Sequence, residues 1–78
     1  DFFAALEDAS RKEELEKAIE SLPPQQKKVI RYRFSGKTNR EIAEKENLSL
    51  NTVNVHYRLA MQKLRSILKV IPFIILFL

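Results

Sequence analysis

Hydrophobic residues recur at three- and four-residue spacing in four separate parts of this chain, which is the pattern of amphipathic helices. The apolar positions that define the first three parts are Leu15, Ala18, Ile19 and Leu22, then Val29, Ile30 and Phe34, then Ile42 and Ala43. They predict helices over about 11–21, 24–35 and 39–46, and a fourth helix that follows Ser49 and extends to about Leu68. No part alternates between apolar and polar residues as a strand would, so the pattern predicts an all-α fold, a small four-helix domain.

Polar residues just before three of these helices are of the types that cap helix starts. Ser10 with Glu13, and Thr38 with Glu41, have the spacing of a capping box, in which a hydroxyl and a carboxylate each bond the backbone N–H group of the other residue. Ser49 is expected to cap the fourth helix with its hydroxyl group. These caps support the predicted starts of the first, third and fourth helices.

The fourth helix has two unlike faces when its residues are placed about 100° apart around the axis. One broad stripe is apolar and is predicted to face the core: Leu50, Val53, Tyr57, Ala60, Met61, Leu64, Ile67 and Leu68. The opposite face and its edges lack acidic residues and carry Asn51, Thr52, Asn54, Val55, His56, Arg58, Leu59 and Gln62. Such a face predicts a surface that binds a partner rather than one that only contacts water. His56 borders the core stripe, so both burial against a neighbour and contact with a partner are open for it.

Charge is unevenly distributed along the chain, whose net charge is +4. Residues 1–22 include seven acidic and three basic residues, whereas residues 23–78 include three acidic and eleven basic ones. The positive excess in the later helices indicates an anionic partner, nucleic acid before membrane, although a lysine-rich face in contact with water is the alternative. The cations of the second helix are not assigned to DNA, because a charged run on a helix usually faces water: Lys27, Lys28, Arg31 and Arg33.

Composition excludes several classes of function. The chain has no cysteine, one histidine and one glycine among its 78 residues. It can therefore build no disulfide framework, no thiolate or clustered-histidine metal site and no glycine-rich phosphate loop. An enzyme is not expected, because the single histidine has no cysteine to pair with and no carboxylate at helical spacing. No catalytic residue, cofactor or metal is predicted.

The third and fourth helices have the spacing of a helix-turn-helix. Ala43 is a small residue at which two helices can touch, Asn47 follows four residues later in the turn, and Val53 lies six residues further on, under the next helix. The short connection to Ser49 requires a sharp reversal of the chain, and we therefore predict a positive φ for Asn47. The combination predicts a DNA-binding corner.

Two segments, "LPPQQKKVI" and "TNREIAEKENLSLNTVNVHYRLAMQKLRSIL", resemble region four of bacterial sigma-70 family sigma factors, especially the extracytoplasmic-function (ECF) type. The resemblance covers about residues 12–69. It implies a small helical domain whose last helix enters the major groove of the promoter −35 element in transcription initiation, while another surface contacts the flap of core RNA polymerase. It also implies a cytoplasmic protein and allows an anti-sigma factor as a partner.

The resemblance assigns individual residues to the DNA interface. It implies that the base-facing residues are Asn54, Val55, Arg58 and Leu59. It implies that the residues in contact with the DNA backbone are Lys37, Thr38, Arg40, Asn51 and Thr52. The chain departs from the family pattern at Glu46, where an apolar residue is common, and at Asn47, where glycine is common. Asparagine enters the left-handed region more readily than most residues, so the second departure is compatible with the turn.

Two other interpretations of the sequence are open. "EIAEKENLSLNTVNVH" also resembles the helix-turn-helix of LuxR-type response-regulator output domains, but their last helix usually ends in Lys-Leu-Gly, whereas here "KLRSIL" continues. The "LPPQQ" segment favours the sigma factor. A helical protein-interaction module without DNA binding could use the same outward face to hold an acidic partner.

The two ends of the chain are predicted to lie outside a domain that spans residues 10–69. Residues 1–9 are expected to be a linker or an N-terminal extension, and the start at Asp1 rather than Met indicates a piece of a longer protein. Residues 70–78 form an apolar tail that as a helix would reach about 13 Å, too short to span a bilayer core of about 30 Å. We expect this tail to pack on its own helices or to mediate self-association, which sedimentation of a chain without residues 71–78 would test.

Overall fold

The computed structural model describes residues 12–68, which form four α-helices and, within these bounds, no strand. Helix α1 is Lys12–Glu20, α2 is Pro24–Phe34, α3 is Asn39–Glu46 and α4 is Leu50–Leu68. The all-α prediction is confirmed, and α1 and α2 end one residue earlier than predicted. None of the four described helices has the length and apolarity that a membrane span needs. The expectations for Ser10, for residues 1–9 and for residues 70–78 lie outside the described residues.

Helix α4 is the centre of the fold, because the other three helices pack against it. A larger core cluster joins α1, α2 and α4 and consists of Leu15, Ala18, Ile19, Leu22, Ile30, Ala60, Met61, Leu64 and Leu68. A smaller cluster joins α2, α3 and α4 and consists of Val29, Ile42, Ala43 and Val53. Tyr57 packs against both clusters from the middle of α4. The helix-turn-helix corner of α3 and α4 therefore has a core of its own, as the positions of Ala43 and Val53 in the sequence predicted.

Two residues of the predicted core stripe of α4 are exposed instead. Leu50 is 37% exposed and Ile67 is 42% exposed. Leu50 is the first residue of α4, so no preceding turn of the helix covers it, and Ile67 lies at the edge of the stripe. The prediction that these two side chains contribute to the core is therefore wrong, because helical spacing gives the direction of a side chain and not the depth to which neighbours cover it.

Helices α2 and α3 both end at a residue in the left-handed region. After α2 this residue is Gly36, with φ 97°. After α3 it is Asn47, with φ 55° and ψ 46°, which confirms the predicted positive φ. The backbone N–H of Leu48 then donates to the carbonyl of Ala43 at 3.0 Å, and the Leu48 side chain packs against the smaller core cluster. This is a Schellman-type helix end, which satisfies a terminal carbonyl and turns the chain sharply into α4.

Substitution of Asn47 tests the left-handed end of α3. Asn47→Ala is expected to lower the free energy of unfolding by about 1 kcal/mol, because alanine enters the left-handed region at a larger steric cost. Asn47→Gly is expected to be neutral or stabilising, because glycine has no Cβ to clash there. Urea unfolding followed by circular dichroism measures both. Equal losses for the two variants would show that the Asn47 side chain, and not its backbone conformation, stabilises the turn.

Glu46 joins the end of α3 to two side chains of α2. The hydroxyl of Tyr32 donates to Glu46 Oε2 at 2.7 Å, and Lys28 Nζ donates to Glu46 Oε1 at 2.9 Å. These bonds, that from Tyr32 first, hold the pKa of the Glu46 carboxyl below its ordinary value. Polar partners from α2 thus satisfy the acidic residue that ends α3.

The lowered pKa of Glu46 predicts a loss of stability in acid. Its contribution is fully present above the unfolded glutamate pKa of about 4.3 and is lost as the pH falls through the lower pKa of the folded state. Glu46→Gln is expected to reduce stability at neutral pH and to flatten its decline toward about pH 3. The stability of the Glu46→Gln variant will still decline somewhat in acid, because hydrogen bonding to Arg31 lowers the pKa of Glu20 as well. Urea unfolding across this pH range measures the effect, and an equal flattening by Glu44→Gln, which removes an exposed carboxylate of the same helix, would contradict it.

Candidate nucleic-acid interface

The outward face of α4 presents the residues that the resemblance assigns to bases. Asn54, Arg58 and Leu59 are exposed, and Val55 is half-buried. They share one face because residues three and four positions apart lie side by side on a helix. The whole of α4 contains no acidic residue. No carboxylate of this helix would therefore repel a phosphate backbone.

The residues assigned to the DNA backbone lie at the starts of α3 and α4. Thr38 and Arg40 are exposed and Lys37 is half-buried, around the first turn of α3. Asn51 is exposed and Thr52 is half-buried, in the first turn of α4. The unpaired N–H groups of a helix start give it a partial positive charge, which favours phosphate. The fold thus places these side chains at two helix starts, whose partial positive charge favours the binding of phosphate.

Hydroxyl groups cap both of these helix starts. Thr38 Oγ1 accepts from the Glu41 backbone N–H at 3.1 Å, and Glu41 Oε1 accepts from the Thr38 N–H at 2.9 Å, which confirms the capping box. The bond to the Thr38 backbone is the main reason that the pKa of Glu41 is held below its ordinary value. Ser49 Oγ accepts from the Thr52 N–H at 3.0 Å and donates to Thr52 Oγ1 at 2.8 Å, which confirms the predicted cap of α4. The hydroxyl groups of Ser49 and Thr52 thus lie together at the start of α4, where hydroxyl groups can contact phosphate.

A line of polar contacts links α2, α3 and the outward face of α4. Arg33 Nη1 donates to Asn39 Oδ1 at 2.9 Å, and Asn39 Nδ2 donates to Asn54 Oδ1 at 2.9 Å. The guanidinium carbon of Arg33 lies 4.6 Å from the ring centroid of Tyr57, within cation–π distance. Asn39 is absent from the residues predicted from sequence, because its contact with Asn54 depends on the angle between two helices and no local motif indicates it.

The remaining cations of α2 face acidic side chains. Arg31 contacts Glu16 at 3.0 Å and Glu20 at 2.8 Å, and Lys27 lies 3.5 Å from Glu20. Lys28 is bonded to Glu46, as described above. These cations were expected to face water, and Lys28 and Arg31 are exposed, but they also pair with acids of α1 and α3. Exposed ion pairs of this kind contribute little stability. They do offset the positive charge of α2, which supports the exclusion of these cations from the DNA interface.

His56, the one histidine of the chain, is half-buried at the edge of the core stripe of α4. Its position agrees with the spacing, which placed it on that border. Residues 12–68 contain no group of three or more His, Cys, Asp or Glu side chains placed to hold a metal ion.

Comparison with known families decides between the two kinds of helix-turn-helix. The family model described as "Sigma-70, region 4" matches residues 12–64. The chain belongs to the sigma-70 region 4 family. The match includes α1, α2, α3, most of α4 and every residue assigned to the DNA interface. Sigma-70 region 4 is a DNA-binding domain of a transcription factor and not an enzyme family. No curated protein and no solved structure matches the chain.

Proposed function

We propose that this region 4 domain recognises the promoter −35 element through α4 in transcription initiation. In this proposal α4 enters the major groove, and the residues that face the bases are Asn54, Val55, Arg58 and Leu59. The residues that contact the DNA backbone and fix the register of α4 on the duplex are Lys37, Thr38, Arg40, Asn51 and Thr52. Phosphate contacts position a protein on DNA, whereas contacts to base edges give sequence preference.

The composition of the outward face of α4 is the observation that supports this proposal. Arg58 is exposed at the centre of that face, where an arginine can donate two hydrogen bonds to O6 and N7 of guanine. Leu59 lies beside it with 38% of its surface exposed, although it is a large apolar residue. Thymine presents a methyl group in the major groove that an apolar side chain can contact. A hydrogen-bond donor beside an exposed apolar side chain is complementary to base edges in the major groove, whereas a face in contact with water alone has no need of the apolar group.

The proposal includes the partners that the family resemblance implies. A second surface of the domain contacts the flap of core RNA polymerase, and the protein is a cytoplasmic sigma factor of the ECF type, for which an anti-sigma factor is a further candidate partner. The domain spans residues 10–69. Self-association through the apolar tail, residues 70–78, is proposed from its sequence alone.

Selection of duplexes from a randomised pool tests the proposed function. The 78-residue chain would be used for selection, and fluorescence anisotropy would then compare the selected duplex with a scrambled duplex of the same composition. We expect roughly tenfold or tighter binding to the selected duplex. Affinity should also fall steeply with salt, because lysine and arginine contacts to phosphates release counterions.

Three outcomes separate the proposed function from its alternatives. Salt-dependent binding with sequence preference supports promoter recognition. Salt-dependent binding without sequence preference contradicts base reading by α4 and limits the domain to backbone contacts. Absence of binding to any duplex would favour a helical protein-interaction module, which titration with purified core RNA polymerase would then examine.

A further inference from the structure

The side-chain amide of Asn54 is held by two successive hydrogen bonds, the first of which comes from the guanidinium group of Arg33. Arg33 donates to the oxygen of Asn39, and the nitrogen of Asn39 donates to the oxygen of Asn54, each at 2.9 Å. Arg33 lies against the ring of Tyr57, which packs on both core clusters. The series of contacts therefore runs from the core to the outward face of α4.

The guanidinium group fixes the orientation of both amides. Arginine has hydrogen-bond donors and no acceptor, so the Asn39 atom that faces Arg33 must be its oxygen. The NH₂ group of Asn39 then faces Asn54, and the Asn54 atom that it meets must be the oxygen in turn. A flip of either amide would set a donor against a donor. Asn54 consequently keeps its oxygen turned toward α3.

The NH₂ group is the part of the Asn54 amide left for a partner. Asn54 is exposed, and within residues 12–68 no group accepts a hydrogen bond from its Nδ2. An unrestrained asparagine amide binds adenine with both atoms, since its oxygen accepts from N6 and its nitrogen donates to N7. Because the Asn54 oxygen is turned toward α3 and bonded to Asn39, the amide cannot make this pair of contacts without breaking that bond. Its outward NH₂ group suits guanine, whose O6 and N7 are both acceptors, better than adenine, which sets the donor N6 beside the acceptor N7.

We propose that Asn39 is a positioning residue that makes Asn54 prefer guanine to adenine at the base pair it faces. The inference rests on the proposed function, because it requires α4 to lie in the major groove. Arg33 anchors Asn39 through a charge-assisted hydrogen bond, which is stronger than a bond between neutral groups. A residue of α3, outside the helix that touches bases, thus sets part of the sequence preference.

The test compares base preferences of the wild-type chain and three variants on a randomised duplex pool. Asn54→Ala identifies the base pair that Asn54 faces, because preference is lost at that pair alone. Asn39→Ala removes the donor that holds the Asn54 oxygen. Asn39→Asp keeps an acceptor for Arg33 and suits a helix start, but a carboxylate has no hydrogen to donate to Asn54. It therefore serves as a second variant that retains the link between α2 and α3.

Wild-type protein is expected to prefer guanine at the pair identified by Asn54→Ala. Both Asn39 variants should shift the ratio of dissociation constants for guanine and adenine duplexes toward adenine by roughly fivefold or more, the size of one bidentate base contact. Asn39→Asp adds a negative charge and will weaken binding to every duplex, so the ratio is the readout and not the affinity. Circular dichroism verifies that each variant is folded.

Two results would overturn this inference without touching the proposed function. They are an adenine preference of the wild type at the pair in question and an unchanged ratio in the folded Asn39 variants. An Asn54→Ala variant that relaxes no position would also overturn the inference, and it would remove Asn54 from the proposed base-facing set. Binding of the wild type without any sequence preference is a different result. It contradicts the proposed function, and the inference about Asn39 fails with it.

Discussion

Arg58→Ala is expected to weaken binding to the selected duplex by about 1–3 kcal/mol and to relax preference at the base pair that Arg58 faces. The side chain is exposed at the centre of the outward face of α4, between Asn54 and Gln62 along the helix surface. An arginine in the major groove can bond two acceptors of guanine at once, so its loss should affect one base pair more than the others. Anisotropy titrations with the selected duplex and with duplexes altered at single pairs measure both effects.

Lys63→Ala is the matched control for Arg58→Ala. It removes one positive charge from an exposed position of the same helix, about 140° around the axis from Arg58. Its effect is expected to be smaller, similar on every duplex and reduced at high salt, because only general attraction to phosphates changes. Equal losses for both variants on every duplex would mean that Arg58 contributes bulk charge and contacts no base.

The helix bounds could be predicted from sequence because their signals are local. A capping box needs only Thr38, Glu41 and the backbone between them, and its two bonds form as expected. The positive φ of Asn47 could be predicted for the same reason, since a three-residue connection between two helices leaves few backbone conformations. The capping box and the positive φ both depend on local geometry alone, so neither required knowledge of contacts between helices.

Contacts between helices could not be predicted in this way. The bonds from Tyr32 and Lys28 to Glu46 join residues that are 14 and 18 positions apart, and the bond from Asn39 to Asn54 joins residues 15 positions apart. Each depends on the crossing angle of two helices, which spacing along one helix does not give. The sequence therefore indicated Glu46 as a departure from the family pattern without showing what would satisfy it.

For the candidate site, the sequence could predict which residues of α4 are exposed, but it could not predict how they are bonded. The periodicity of α4 placed Asn54, Arg58 and Leu59 opposite the core, and all three are exposed. Their assignment to bases came from the family resemblance and stays a prediction. The same periodicity could not show that the oxygen of Asn54 is already bonded, because that depends on Asn39, a residue of another helix.

Leu64→Ala is expected to have the largest effect on stability, a loss of about 2–5 kcal/mol. Leu64 has no exposed surface and lies in the larger core cluster, where α1, α2 and α4 meet. Truncation removes buried methyl groups and leaves a cavity that close-packed neighbours fill only in part. A domain of this size has a total stability of a few kcal/mol, at about 0.05–0.15 kcal/mol per residue, so a large part of the population should unfold. Urea unfolding of the wild type and the variant measures the difference.

Leu59→Ala makes the same chemical change about 1.4 turns away on the same helix and is the matched control. Because 38% of Leu59 is exposed, its truncation is expected to change the free energy of unfolding by less than about 1 kcal/mol. It should nevertheless weaken binding to the selected duplex, since the proposed contact with a thymine methyl is lost. The pair of variants thus separates the two faces of α4, one that holds the fold and one that meets DNA. A Leu59→Ala protein that loses as much stability as Leu64→Ala would show that Leu59 belongs to the core and would remove it from the proposed base-facing set.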